Sequence, residues 1–363
     1  MKYPIGFTLL LAGSLVSCGG GSGNSASSAQ PQTPPTQNPA PTTPVIASTP
    51  TLTQGMVTGF GSVIVNGIHY DVGAAAIEVD GDVQSEAELA VGQFVTIEGT
   101  LSPDGIHGTA KKLKSDSRLV GPIDSIDLTA GVIVALGVSV VITADTFFED
   151  GLTAEALKVG DNIRICSFTD TDGTLVATRI DLKKSPTPNN VQLAGKVTDL
   201  DTTAQTFLLN GKKVDYSKAT LNDLPAKTLA NDMAVRVHGA VVNDILVAAG
   251  NVHLSAMDIK HHEKAEKNLH AEAGGLVSNL IPGTSFTVGE AKILLTADTK
   301  IEGGALGDLA DGIMAKVRGT MDADKNLVAS SIKLIFNVKF EDEGVVQAID
   351  LEKKYVYPER RCF

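Results

Sequence analysis

Leu89-Ala-Val-Gly92-Gln-Phe-Val95-Thr-Ile97-Glu-Gly99 returns three more times without a gap. The later copies are Leu157-Lys-Val-Gly160-Asp-Asn-Ile163-Arg-Ile165-Cys-Ser167, Leu229-Ala-Asn-Asp232-Met-Ala-Val235-Arg-Val237-His-Gly239 and Leu309-Ala-Asp-Gly312-Ile-Met-Ala315-Lys-Val317-Arg-Gly319. In each copy apolar residues alternate with polar ones, as Val95 and Ile97 do against Thr96 and Glu98. That period of two marks a strand with one face on a core. Outward from the block, a glycine opens a Val/Ile-rich stretch upstream each time, at Gly55, Gly121, Gly195 and Gly275. Downstream comes an Ala-x-x-apolar step: Ala110 to Leu113, Ala177 to Ile180, Ala249 to Val252 and Ala329 to Ile332. Four tandem modules of about 65 to 80 residues follow from this period.

Turn chemistry fills in each module. Asn66-Gly67 and Asn210-Gly211 sit between apolar runs and supply the positive φ angles of a type I′ hairpin; Asp104-Gly105 and Asp172-Gly173 mark a second hairpin. Helix formers behind a capping residue precede the block (Ser85-Glu86-Ala87-Glu88, Thr153-Ala154-Glu155-Ala156), predicting one helical turn there. Five or six short strands with one such turn suit an all-β fold of small, OB-like barrels, with an open two-sheet sandwich as the alternative. The repeated grammar resembles a bacterial lipoprotein family with tandem β-barrel domains, catalogued as a domain of unknown function. The resemblance covers residues 54 to 336 and implies fold and envelope location, but no chemistry. The modules are read as 54–117, 118–185, 190–256 and 272–338, with a charged, His-rich linker at 257–271. Residues 342–363 read as a partial fifth module, set against the edge of module four or cut short.

The chain's 363 residues carry 43% hydrophobic and 20% charged side chains, which excludes global disorder. Its 30 Lys plus Arg against 42 Asp plus Glu give a net charge of −12, which repels phosphate backbones and excludes nucleic acid as a partner. Aromatics are 4% with no Trp, so stacking platforms for sugars or single strands are scarce.

Met1 to Ser17 has an apolar run from Ile5 to Val16, shorter than the ~20 residues that span a bilayer and suited to a signal peptide. Its end, Leu15-Val16-Ser17-Cys18, resembles the lipobox of bacterial lipoproteins. The resemblance implies that Cys18 is acylated and becomes the first mature residue, anchoring the chain to a membrane. Gly19 stands where an Asp would resemble an inner-membrane retention signal, which favours the outer membrane. Residues 18–53, nearly all Gly, Ser, Thr, Pro, Gln, Asn and Ala, read as a disordered tether.

Three constellations could carry chemistry. His262, Glu266 and His270 would share one face of a helix and offer two imidazoles and a carboxylate to a divalent metal. The alternating Glu and Lys around them predict instead a solvated linker. Asp170-Thr-Asp172-Gly173 and Asp322-Ala-Asp324 resemble the start of a calcium loop, yet neither has the closing Glu, and both fall where a hairpin turn explains them. Cys166 lies on the polar line of its strand and could pair with Cys362 in an oxidising compartment. With no nucleophile elbow, phosphate loop or dinucleotide fingerprint, the expected role is non-catalytic: an envelope scaffold contacting a protein or polymer, or else metal or ligand capture. No cofactor beyond the lipid and that possible metal is implied.

Overall fold

Asn66 and Gly67 adopt φ angles of 54° and 71°, and Asn210 and Gly211 adopt 48° and 78°, as type I′ hairpins require. A computed structural model describes residues 48–170, 173–183, 191–262 and 265–336, with strand segments at 341–342, 346–350 and 355–358. Module one contains β1 (Thr49–Phe60), β2 (Val63–Val65), β3 (Ile68–Asp71), β4 (Ala76–Val79), β5 (Asp82–Gln84), β6 (Phe94–Leu101) and β7 (His107–Ser115). β1 pairs with β2, β2 with β3, β3 with β7 in parallel, β7 with β6, and β6 with β1. The circuit closes. This is a five-stranded barrel of the OB type, and closure excludes the sandwich.

The same circuit recurs three times. It runs through Leu119–Asp127, Val132–Ala135, Val138–Val141, Leu175–Leu182 and Asn162–Thr169 in module two. Module three uses Val191–Asp201, Thr206–Leu209, Lys212–Asp215, Ile245–Leu254 and Ala234–Val242. Module four uses His270–Ile281, Ser285–Val288, Ala291–Leu294, Leu327–Ile335 and Met314–Met321. The predicted helical turn is a 3-10 turn in every module, Glu86–Glu88 and Ala154–Ala156 among them.

A β-bulge explains the Ala-x-x-apolar step. Glu98 faces Lys112 but Gly99 faces Ala110, so Lys111 is left unpaired; Thr178 and Ser330 are skipped in the same way. The extra residue reverses the strand's alternation, so Ala110 and Leu113 both point into the barrel, at 2% and 0% exposure. Module three corrects the pattern: Ala248, not Ala249, is buried, and Gly250 at φ 72° takes up an added residue. Opposite the bulge, a Cβ on Gly99, Gly239 or Gly319 would come within 2.2, 2.1 or 1.9 Å of a backbone carbonyl oxygen. In modules one, three and four glycine closes the repeated block because a side chain would clash there, whereas module two carries Ser167 at the matching bulge.

The barrels are not beads on a string. β1 runs parallel to the first strand of module four, Thr51 opposite His270 through Gln54 opposite Ala273, while the first strands of modules two and three meet antiparallel at Leu119 and Leu193. Modules two and three share one continuous apolar core. Met56 and Phe94 of module one, Phe168 of module two, Ala194 of module three and Met257 form a further cluster, with Leu276 and Met314 of module four packed against it. This hub draws on every module.

Three boundaries shift. Residues 49–53, read as tether, belong to β1: they pair with β6 on one side and module four on the other, and Leu52 is fully buried. Module four starts at His270 rather than 272. Beyond residue 340, the strand Glu341–Asp342 runs parallel to Gly59–Phe60 of module one instead of along the edge of module four, and Val346–Asp350 pairs antiparallel with Tyr355–Pro358.

Candidate functional site

The stretch joining modules three and four is a buried strap. Ser255, Ala256, Met257, Asp258 and Ile259 are each 6% exposed or less. The Ala256 N–H donates to Asp116 Oδ2 at 2.7 Å, the Thr96 hydroxyl donates to the Ala256 carbonyl, and Gln54 Nε2 donates to the Met257 carbonyl at 2.8 Å. Asp258 Oδ2 accepts from the Ala234 N–H at 2.8 Å. The strap thus hydrogen-bonds to modules one and three while Met257 fills the hub. Ion pairs reinforce the seams: Arg236 with Asp116 at 3.2 Å and Arg118 with Glu290 at 3.4 Å are buried, and the partly exposed Lys196 adds a contact to Glu290 at 3.3 Å.

Beside this seam a cleft of about 190 Å³ opens where modules one, two and three meet. Its walls carry opposite charge. Asp80, Asp82 and Glu88 come from module one; Arg164 and Lys183 from module two; Gln192 and His238 from module three. The β4–β5 hairpin builds the acidic wall, and alternation along β5 puts Asp82 and Gln84 on one face while Val83 stands 87% exposed on the other. Asp80 is already satisfied, accepting from the Ser117 N–H and hydroxyl at 2.6 and 2.8 Å and from Gln192 Nε2 at 2.8 Å. Arg164 donates two bonds to Asp181, which also pairs with Arg179. His238 accepts from Arg236 through Nε2 at 2.9 Å, and burial, then the Arg236 charge, pushes its pKa down to about 4. It is a neutral lining group at physiological pH. The cleft can hold a polar molecule between walls of opposite sign; none of these residues was singled out by sequence reasoning, because they meet only across modules.

The structure separates most of the residues that the sequence suggested. His262, Glu266 and His270 share no helix: the described part of 255–269 is irregular, and His270 opens a strand. His262 pairs with Glu98 at 3.2 Å, and among the described residues no three His, Cys, Asp or Glu side chains gather as a metal site. The linker is also not solvated at its start, where the strap is buried. Cys166 is 2% exposed, not on an open polar face, and burial pushes its thiol up to about 12. Such a thiol is a poor nucleophile. Cys362 lies outside the described residues, as do Cys18, the leader and Asp172. Asp170 and Asp322 turn their carboxylates onto their own hairpins, accepting from the Thr174 and Asn326 N–H groups at 2.9 and 2.8 Å.

A family profile described as a domain of unknown function (DUF5666) matches residues 53–114, 120–181, 194–251 and 274–333, more than half of the chain. The chain belongs to this family. Each DUF5666 match falls on one of the four barrels and takes in its bulge. No curated protein matches the chain. The DUF5666 modules therefore supply a fold and a repeat number, and the functional reading has to come from the seams and the cleft.

Proposed function

We propose that this chain is a lipid-anchored scaffold of the bacterial cell envelope, non-catalytic, tethered through Cys18 to the outer membrane and presenting a rigid four-barrel body to an envelope protein or polymer. The observation that carries the scaffold reading is the shared hub. Four barrels locked by one apolar cluster and a buried strap make a stiff platform rather than a flexible array of separate binders. The anchor rests on the Leu15-Val16-Ser17-Cys18 motif and on the Gly/Ser/Pro-rich stretch after it, whose composition suits a spacer. Cys18→Ser should release the protein from membrane fractions and abolish labelling by a radioactive fatty acid. A variant that still sediments with membranes like the wild type would refute the anchor. The cleft favours a second reading, ligand capture, for a molecule carrying both charges; equilibrium dialysis with small zwitterions against Lys183→Gln and Glu88→Gln variants tests it.

A further inference from the structure

His69 on β3 and His107 on β7 are direct cross-strand partners in the parallel pairing that closes the module-one barrel. Both side chains therefore lie on the same outer face. Their ring centroids are 5.9 Å apart with the planes inclined by 43°. Each Nδ1 is already held: His107 Nδ1–H donates to Asp104 Oδ2 at 2.7 Å, and the Ser62 hydroxyl lies 3.2 Å from His69 Nδ1. Asp104 is fixed in turn by the Ile106 and His107 N–H groups at 2.9 and 3.1 Å. Neither Nε2 has a hydrogen-bond partner among the described residues.

This is the arrangement of a metal-ligating histidine, in which one ring nitrogen is oriented by a carboxylate or hydroxyl and the other faces the ion. Two imidazole nitrogens at about 2.0–2.1 Å from a shared ion place their ring centroids about 5–6 Å apart, the separation found here. We propose that His69 and His107 form a binding site for a divalent transition cation of the zinc or copper class, each ring ligating through Nε2 with water completing the coordination. Imidazole selects such ions over calcium and magnesium, which prefer oxygen. Asp104 and Ser62 act as positioning residues. With two protein ligands the site is weaker than a four-ligand structural zinc site, and it is separate from the histidines around residue 262. An ion here would tie β3 to β7, the one parallel contact among the five that close the barrel. The inference is independent of the scaffold reading and of the membrane anchor.

Isothermal titration of the purified full chain with zinc and with copper, together with electron paramagnetic resonance of the copper-loaded protein, tests the proposal. One micromolar site with two equatorial nitrogen ligands is expected. His69→Ala and His107→Ala should each remove the two-nitrogen signature, and Asp104→Asn should weaken binding by about tenfold. A His262→Ala/His270→Ala variant should bind like wild type. His69→Gln and His107→Gln, with unchanged far-UV circular dichroism, separate lost ligation from lost folding. Affinity no tighter than millimolar, or a site that survives removal of both His69 and His107, would overturn it, as would loss of binding in the His262/His270 variant.

Discussion

Phe168→Ala tests whether the four barrels are one cooperative body. Phe168 is 7% exposed and meets Phe94 of module one edge-on, ring centroids 5.6 Å apart at 90°, so its ring bridges two modules at the hub. Truncating a buried Phe costs about 3–5 kcal/mol, to which an edge-to-face pair contributes about 0.5–1.5 kcal/mol. For a body of this size that lowers the melting temperature by roughly 10 °C. The assay is urea unfolding followed by circular dichroism and by tyrosine fluorescence. Wild type should unfold in one transition with coincident probes, and Phe168→Ala should shift the midpoint while leaving the slope unchanged. Val83→Ala, at a side chain 87% exposed, serves as the control and should move stability by less than about 0.5 kcal/mol. A Phe168→Ala loss under about 1 kcal/mol, or wild-type unfolding in separate steps, would refute the idea of a shared hub.

Gly319→Ala should cost at least about 3 kcal/mol, because the new Cβ would sit 1.9 Å from the Val328 carbonyl oxygen and the bulge would have to open; equilibrium unfolding measures it. Acid sensitivity should depend on His238, whose pKa falls from the ordinary 6.5 to about 4 on folding, so the unfolded chain takes up the proton first as pH drops. The stability present above pH 6.5 is therefore lost between 6.5 and 4, by up to about 3 kcal/mol, and His238→Gln should flatten the stability curve there relative to wild type. If the two curves stay parallel, the histidine is not desolvated in the native state.

The barrel was legible because its signals are local. Val95-Thr-Ile97-Glu states which face of β6 is inside, and Asn66-Gly67 states where the chain reverses. The bulge was present as a spacing, Ala110 to Leu113, but its cause needed a partner strand. Seams left no local trace. Phe94, Phe168 and Met257 look like ordinary strand or linker residues until the fold brings them together. The strap was misread because the Lys and Glu residues after Ile259 dominate the local composition, while Ser255 to Ile259, which carry the burial, are short and unpatterned. His69 and His107 were missed for the same reason: parallel strands adjacent in space are distant in the chain.

The polar positions of the repeated block show how one sequence pattern serves four different places. In an isolated barrel the residues alternating with Val95 and Ile97 would be solvated, and any polar side chain would do. Here they are seam residues. At the first such position Thr96 donates to the strap, Arg164 holds Asp181 beside the cleft, Arg236 pairs with Asp116, and Lys316 donates to the Asn66 carbonyl of module one. At the second, Glu98 meets His262, Cys166 is buried, His238 lines the cleft, and Arg318 pairs with the fully buried Glu272 while reaching the Gly105 carbonyl. Modules one and four join through parallel strands and modules two and three through antiparallel ones, so no two barrels present the same surroundings to these positions. A repeat that kept its outward residues identical could close four barrels but could not pair the buried charges at four unequal seams. Uniform interiors with divergent outward residues are therefore what a hub of unequal contacts demands: even where the residue type repeats, as Arg164 and Arg236 do, the carboxylate it meets differs, Asp181 of the same module in one case and Asp116 across a seam in the other.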